Sequence, residues 1–219
     1  MNSSDVNHSK HPMLKPEITV FTGPMYSGKS SAVISKLERY NYAEIKALLF
    51  KPAKDNRYSD TEVVNHNGAL RYKSINIQNP EEIFNYISPE EKVAIGIDEA
   101  MMLPSSVLRV CETLRALGNP VFVSTLDMDS NGNPFVFSDY DINGKTIGDL
   151  FAIADQIKKF SSVCTYKENG TTCGSVARYT TYIGETPKTE ILKVGGTSEF
   201  QPSCIKHHPV VSCKFNGFI

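Results

Sequence analysis

Hydrophobic residues along this chain come in short, separated blocks whose spacing changes between two periods. "ITVF", from Ile18 to Phe21, is a β-rich run that leads into a glycine-bounded loop, after which Val33, Leu37 and Tyr40 recur at helical spacing. "ALLF" (Ala47 to Phe50), "VAIGI" (Val93 to Ile97) and "VFV" (Val121 to Val123) are further apolar blocks bounded by polar or turn residues, the pattern of strands buried on both faces. Val107, Cys111 and Leu114 predict one amphipathic helix, and Ile147, Leu150, Phe151, Ala154 and Ile157 predict another. Alternating strands and helices imply an α/β fold with a parallel sheet covered on both faces.

The pattern also divides the chain. Residues 1–16 are polar, carry His8 and His11 and show no hydrophobic period, so a mobile tail is expected there, with the α/β domain over 17–160. After Phe160 the texture turns to Cys, Gly, Thr and Lys without long apolar runs, which predicts a small lobe over 161–208 and a frayed tail over 209–219. The N-terminus lacks the apolar core of a secretory signal and no run is apolar enough to cross a bilayer, so a cytoplasmic protein is expected. Composition changes this picture little. With 40% hydrophobic residues and a net charge of -1, the chain gives no bulk electrostatic reason to expect a nucleic acid or a membrane as partner. Five cysteines in a reducing compartment argue for buried or metal-bound thiols rather than a disulfide framework.

Candidate chemistry begins in "GPMYSGKS", Gly23 to Ser30, which fits G-x-x-x-x-G-K-S. Between a strand and a helix, such a loop wraps its backbone N–H groups around phosphate oxygens, and the helix N-terminus adds positive potential. Gly23, Pro24, Met25, Tyr26, Ser27, Gly28, Lys29 and Ser30 are therefore candidate ATP-binding residues, with Lys29 reaching the β/γ-phosphates and Ser30 placing its hydroxyl on Mg²⁺. A second requirement is an acidic group at the end of a neighbouring buried strand. "VAIGIDEA" supplies Asp98 for the metal and Glu99 for a substrate proton, at the edge of the sheet where open α/β folds bind ligands.

The late segment offers Cys164, Cys173, Cys204 and His207, four ligand types suited to tetrahedral Zn²⁺ that would stabilise a lobe too small to build its own core. Cys204 and His207 keep a two-residue gap, but "TYKENGTT" separates Cys164 from Cys173, and an inserted hairpin is needed to bring them together. His208 is an alternative fourth ligand, and a metal-free lobe with incidental thiols is the competing reading. Cys111, on an apolar helix face, and Cys213, in the tail, are read as structural or incidental.

"ITVFTGPMYSGKSS", "KPAKDNRYSD", "VVNHNG", "IGIDEA", "LDMDSNGNPF" and "ILKVGGTSEFQPSCIKHH" fall in an order that resembles the thymidine kinases of the cytosolic, zinc-containing type, from about Ile18 to His208. The resemblance implies a P-loop NTPase-like parallel sheet with a small C-terminal zinc-binding lasso lobe, transfer of the ATP γ-phosphoryl group to the 5′-hydroxyl of a deoxynucleoside, and a homotetramer. It implies Glu99 as the general base and Arg57 as a cation at the transferring group. Phosphoryl transfer depends on positioning and charge stabilisation, and both roles suit that demand. By the same resemblance Asp55 belongs to the active site, Met25, Leu126 and Phe135 line the nucleoside pocket, Thr180 and Ile191 lie next to the base, and Phe200 takes the place of a family tyrosine. Gly195 and Gly196 belong to the lasso that closes over the nucleoside.

Some positions depart from the family pattern. "DEAMML" puts Met101 and Met102 where a glutamine and an aromatic are usual, and Ser130 stands where an aromatic is expected. With Phe200, these changes surround the base while the phosphate-handling residues are intact, so kinase chemistry with weakened or altered base selectivity is expected. Two other readings compete: a different P-loop small-molecule kinase, and a nucleotide-binding regulatory module without turnover.

Overall fold

The computed structural model describes residues 15–54, 62–64, 71–184 and 199–215. Residues 1–14, Asp55, Arg57, Ile191, Gly195 and Gly196 lie outside the described residues.

The chain opens with β1 (Ile18–Thr22), then the glycine loop, α1 (Lys29–Tyr42) and β2 (Ala47–Pro52). A small antiparallel pair, β3 (Glu62–Val64) with β4 (Arg71–Lys73), precedes β5 (Ile75–Ile77), a 3₁₀ turn over Pro80–Tyr86 and β6 (Ala94–Ile97). Next come α2 (Val107–Ala116), β7 (Val121–Thr125), the short α3 (Tyr140–Asn143), α4 (Ile147–Ile153) and β8 (Gln156–Lys159). Six strands form one sheet in the order β5-β2-β6-β7-β1-β8, and each neighbouring pair is parallel. The fold is the expected α/β class.

Strand alternation builds two cores from one sheet. Ile18, Val20, Phe50, Ile95, Ile97, Val121 and Val123 point to the side of α2 and α4, where Val107, Val110, Cys111, Leu114, Ile147 and Leu150 complete the cluster. Phe21, Leu49, Ala94 and Phe122 point the other way, onto Val33, Ile34, Leu37 and Tyr40 of α1. Both faces being covered explains why these strands read as continuous apolar runs.

One expected helix ends early. α4 stops at Ile153, because Ala154 turns extended (φ -74, ψ 135) and the Asp155 carboxylate accepts the Ile18 N–H at 2.8 Å, which draws the chain alongside β1. Ile157 is therefore a strand residue paired with Val20, and it is 48% exposed. Its spacing from Ile147 suits a helix, but the competing pairing with β1 is long-range and invisible in a local window.

Beyond β8 the chain leaves the sheet for two-stranded pairs. β9 (Ser162–Val163) pairs with β12 (Val176–Ala177), β10 (Lys167–Glu168) with β11 (Thr171–Thr172), and β13 (Tyr179–Tyr182) with β14 (Phe200–Ser203). The residues expected to fray from 209 form α5 (Pro209–Phe215) instead, and Val211 buries itself against the Ser130–Gly132 turn. Among the described residues, no helix is long and apolar enough to cross a membrane.

Candidate active site

The glycine loop lies at the carboxyl end of β1, between β7 and β8. Gly23 holds φ +138, and a Cβ there would meet the Phe160 carbonyl oxygen at 2.4 Å, so its backbone must pass against the segment that follows β8. Gly28 (φ 88) precedes α1 with open space where a side chain would stand. Lys29 is buried, and its Nζ donates to the Pro24 carbonyl at 2.7 Å, which folds the lysine back over the loop. Two bonds come to the loop from the lobe beyond β8. The Met25 N–H donates to Thr180 Oγ1 at 3.0 Å, and Ser162 Oγ donates to the Tyr26 carbonyl at 3.2 Å.

Ser30 Oγ donates to Asp98 Oδ1 at 2.9 Å, joining the first turn of α1 to the acidic residue that ends β6. Ser124, on β7, donates its hydroxyl to the same oxygen. Phe50 pairs with Ile97, and Ile97 with Val123, so the next residues Lys51, Asp98 and Ser124 form a polar row with Phe21 on the α1 face of the sheet. Lys51 is 3% exposed, a buried cation on the strand next to Asp98. The Ser30 hydroxyl and the Asp98 carboxylate are hard oxygen donors on converging elements, the type of pair that suits Mg²⁺. Glu99 follows in a left-handed conformation (φ 49, ψ 46), with its N–H directed to Ser124 Oγ at 3.3 Å. That backbone is unfavourable for a glutamate, and strain of this kind is characteristic of residues aimed for function.

The proposed nucleoside-contacting residues separate into two groups. Leu126 and Phe135 belong to the buried cluster under α2 and α4, and Met25 and Met102 pack on its margin. Met101 is 2% exposed and belongs to the same buried cluster as Leu126 and Phe135. Ser130 lies in a turn covered by α5, where Lys214 Nζ also donates to the Asn131 carbonyl at 3.4 Å. Thr180 and Phe200 sit on β13 and β14, Thr180 turned to the loop through Met25 and Phe200 edge-on to Tyr182 with ring centroids 5.2 Å apart.

Sequence reading missed Ser124, Lys51, Ser162 and the ion pair between Lys159 Nζ and buried Asp127 at 2.8 Å. The signal for Ser124 was the polar end of "VFVST" on an otherwise apolar strand. The others owe their places to strand register and had no local signal.

In the lobe, Cys164, Cys173, Cys204 and His207 bring their ligand atoms within 4.8 Å of one another. A tetrahedral zinc site with bonds of about 2.3 Å to sulfur and about 2.0 Å to nitrogen separates sulfur from nitrogen by about 3.5 Å. His207 Nδ1 lies 3.6 Å from Cys164 Sγ and 3.5 Å from Cys204 Sγ, so the donor set fits that metal. The "TYKENGTT" insertion folds as the β10–β11 hairpin, which restores the contact its length seemed to forbid. Hydrogen bonds from the Ser175 hydroxyl and backbone draw the Cys173 thiol down to about 6, toward the thiolate a metal needs. His208 is buried and accepts the Val211 N–H at Nδ1 (3.1 Å), which makes it a support for α5 rather than a fourth ligand.

The family pattern of thymidine kinase matches residues 16–208, most of the chain. The chain belongs to the thymidine kinase family. Membership makes it a nucleotide-binding transferase of the kinase type. Among solved structures it is remotely similar to the genome packaging NTPase of Sulfolobus turreted icosahedral virus 2. For the complex with sulfate, identity is 15% and the TM-score 0.43, covering 67% of this chain and 74% of that one. For the complex with ATP-gammaS, identity is 16% and the TM-score 0.42, covering 70% and 77%.

Proposed function

We propose that this thymidine kinase family member transfers the γ-phosphoryl group of ATP to the 5′-hydroxyl of a deoxynucleoside, with thymidine the preferred acceptor and deoxyuridine a second one. The observation that carries the reading is the convergence of Ser30 on Asp98 at 2.9 Å, which brings the glycine loop and the acidic dipeptide to one end of the sheet. Lys29 and Arg57 offset charge on the phosphoryl oxygens, and the loop amides hold the phosphates. Asp98 and Ser30 would hold Mg²⁺, which supplies charge neutralisation at the β- and γ-phosphates when bound. Glu99 accepts the proton of the 5′-hydroxyl as its oxygen attacks phosphorus, while the bond to the ADP oxygen breaks. Asp55 and Ile191 are assigned to the same site by resemblance, with Met25, Met102, Leu126, Phe135, Thr180 and Phe200 around the nucleoside. Zn²⁺ in the Cys164, Cys173, Cys204 and His207 set is structural, and the homotetramer is part of the same reading.

The test is ATP-dependent phosphorylation of thymidine, deoxyuridine, deoxycytidine and purine nucleosides, with Glu99→Gln as the control. Transfer to pyrimidine deoxynucleosides by the wild type, lost by at least about a hundredfold in Glu99→Gln with ATP binding retained, is the expected outcome. ATP turnover on none of these acceptors overturns the reading.

A further inference from the structure

The peptide units of the glycine loop do not all face the same way, and two of them are oriented by side chains of the metal-binding lobe. A trans peptide plane points its C=O and N–H in opposite directions, so fixing one group aims the other. In the unit joining Pro24 to Met25, the N–H is directed outward to Thr180 Oγ1 and the carbonyl inward to Lys29 Nζ. In the unit joining Tyr26 to Ser27, the carbonyl is directed outward to Ser162 Oγ, which turns the Ser27 N–H toward the opposite, inner side. Tyr26 holds a left-handed φ of 60 there, a conformation that needs an external hold for a bulky residue. The Ser27 hydroxyl is buried with no hydrogen-bond partner among the described residues, so a second donor beside that N–H awaits an acceptor.

Ser162 is also two residues from Cys164. It lies on β9, where Ala177 of β12 pairs with it, and the preceding Phe160 donates its N–H to the Thr22 carbonyl at 2.7 Å. The strap from Lys159 to Cys164 thus runs along the loop from Thr22 to Tyr26, and its far end is anchored in the ligand cluster.

We propose that Ser162 is a positioning residue for ATP, holding the Tyr26–Ser27 peptide with its N–H toward the phosphates, and that through it occupancy of the metal cluster and of the glycine loop are coupled. The inference rests on the loop binding ATP, as proposed above. Coupling of this kind is reciprocal: a metal that fixes the strap favours ATP, and ATP retards loss of the metal. Ser162→Ala removes the outward hold and Ser162→Thr keeps it.

The experiment uses the full chain purified with zinc. ATP affinity is measured by calorimetry, and zinc release to a chelator is followed by a metal-sensitive dye with and without ATP. Ser162→Ala is expected to weaken ATP about fivefold, the effect of one hydrogen bond, and to raise KM for ATP but not for the nucleoside. Ser162→Thr is expected to stay within about twofold of the wild type. ATP should slow zinc release from the wild type and from Ser162→Thr, and do so less in Ser162→Ala. Thr180→Val against Thr180→Ser gives a second pair for the Met25 amide. Wild type that binds no ATP overturns both readings. Wild type that binds ATP as tightly as Ser162→Ala, or zinc release indifferent to ATP, overturns this one alone.

Discussion

Asp155 shows how one carboxylate sets a boundary. It accepts the Ile18 N–H and pairs with Arg115 at 3.2 Å, and the first of these, with the guanidinium behind it, holds its carboxyl below the usual range. A depressed carboxylate stabilises the fold when pH is above the unfolded value of about 3.9 and loses that contribution as pH falls below it. Asp155→Ala should therefore cost about 1 kcal/mol at neutral pH, a low figure because the side chain is 36% exposed, and the difference from wild type should vanish in denaturation curves recorded below about pH 3. Thiols give a second test at this scale. Burial pushes Cys111 up to about 12, whereas Cys213 is exposed, so alkylation of the native, metal-loaded protein should label Cys213 and spare Cys111 until the chain unfolds. Residues of the glycine loop and the acidic pair were legible in the sequence because each motif is contiguous. Ser124, Ser162 and Lys159 were not, because what they touch is decided by which strands lie side by side.

Among the elements, α1 depends on packing for its place. Its Gly28 cap supplies no side-chain bond to the first turn, and Leu37 is fully buried between α1 and the sheet. Leu37→Ala should cost about 3 kcal/mol in urea denaturation, and because α1 carries Lys29 and Ser30 it should weaken ATP binding too. α5 makes a sharper case. Gly132 holds φ +75 and a Cβ there would meet Val211 Cγ2 at 2.6 Å, so Gly132→Ala both strains the turn and lifts the helix. Faster amide exchange confined to α5 and the 128–134 turn is the expected result. Helix α5 was unreadable because, among its described side chains, Val211 alone is buried, too few to set a period. The limits of α4 failed for the opposite reason, since Ile157 continues the helical spacing by coincidence while pairing with Val20.

For the whole molecule, the order of strands was hidden in the sequence although their existence was plain. Chain order places β8 last, yet it lies beside β1 and brings Phe160 against Gly23, so the lobe begins where the glycine loop begins. The ligand set was legible by residue type, and its geometry waited on the β10–β11 hairpin. Removing metal with a chelator should lower Tm by several degrees and raise the exchange rate of β9 and β12 amides well before those of β6 and β7. A Cys3His centre that gathers residues 164 and 173 with 204 and 207 joins two distant stretches of chain. With an ion in place it acts as a cross-link: it restricts the unfolded ensemble as a disulfide does, and needs no oxidant to form. With that ion bound, the same four side chains would make the lobe's integrity answerable to metal supply, a dependence that a purely hydrophobic lobe of this size would escape.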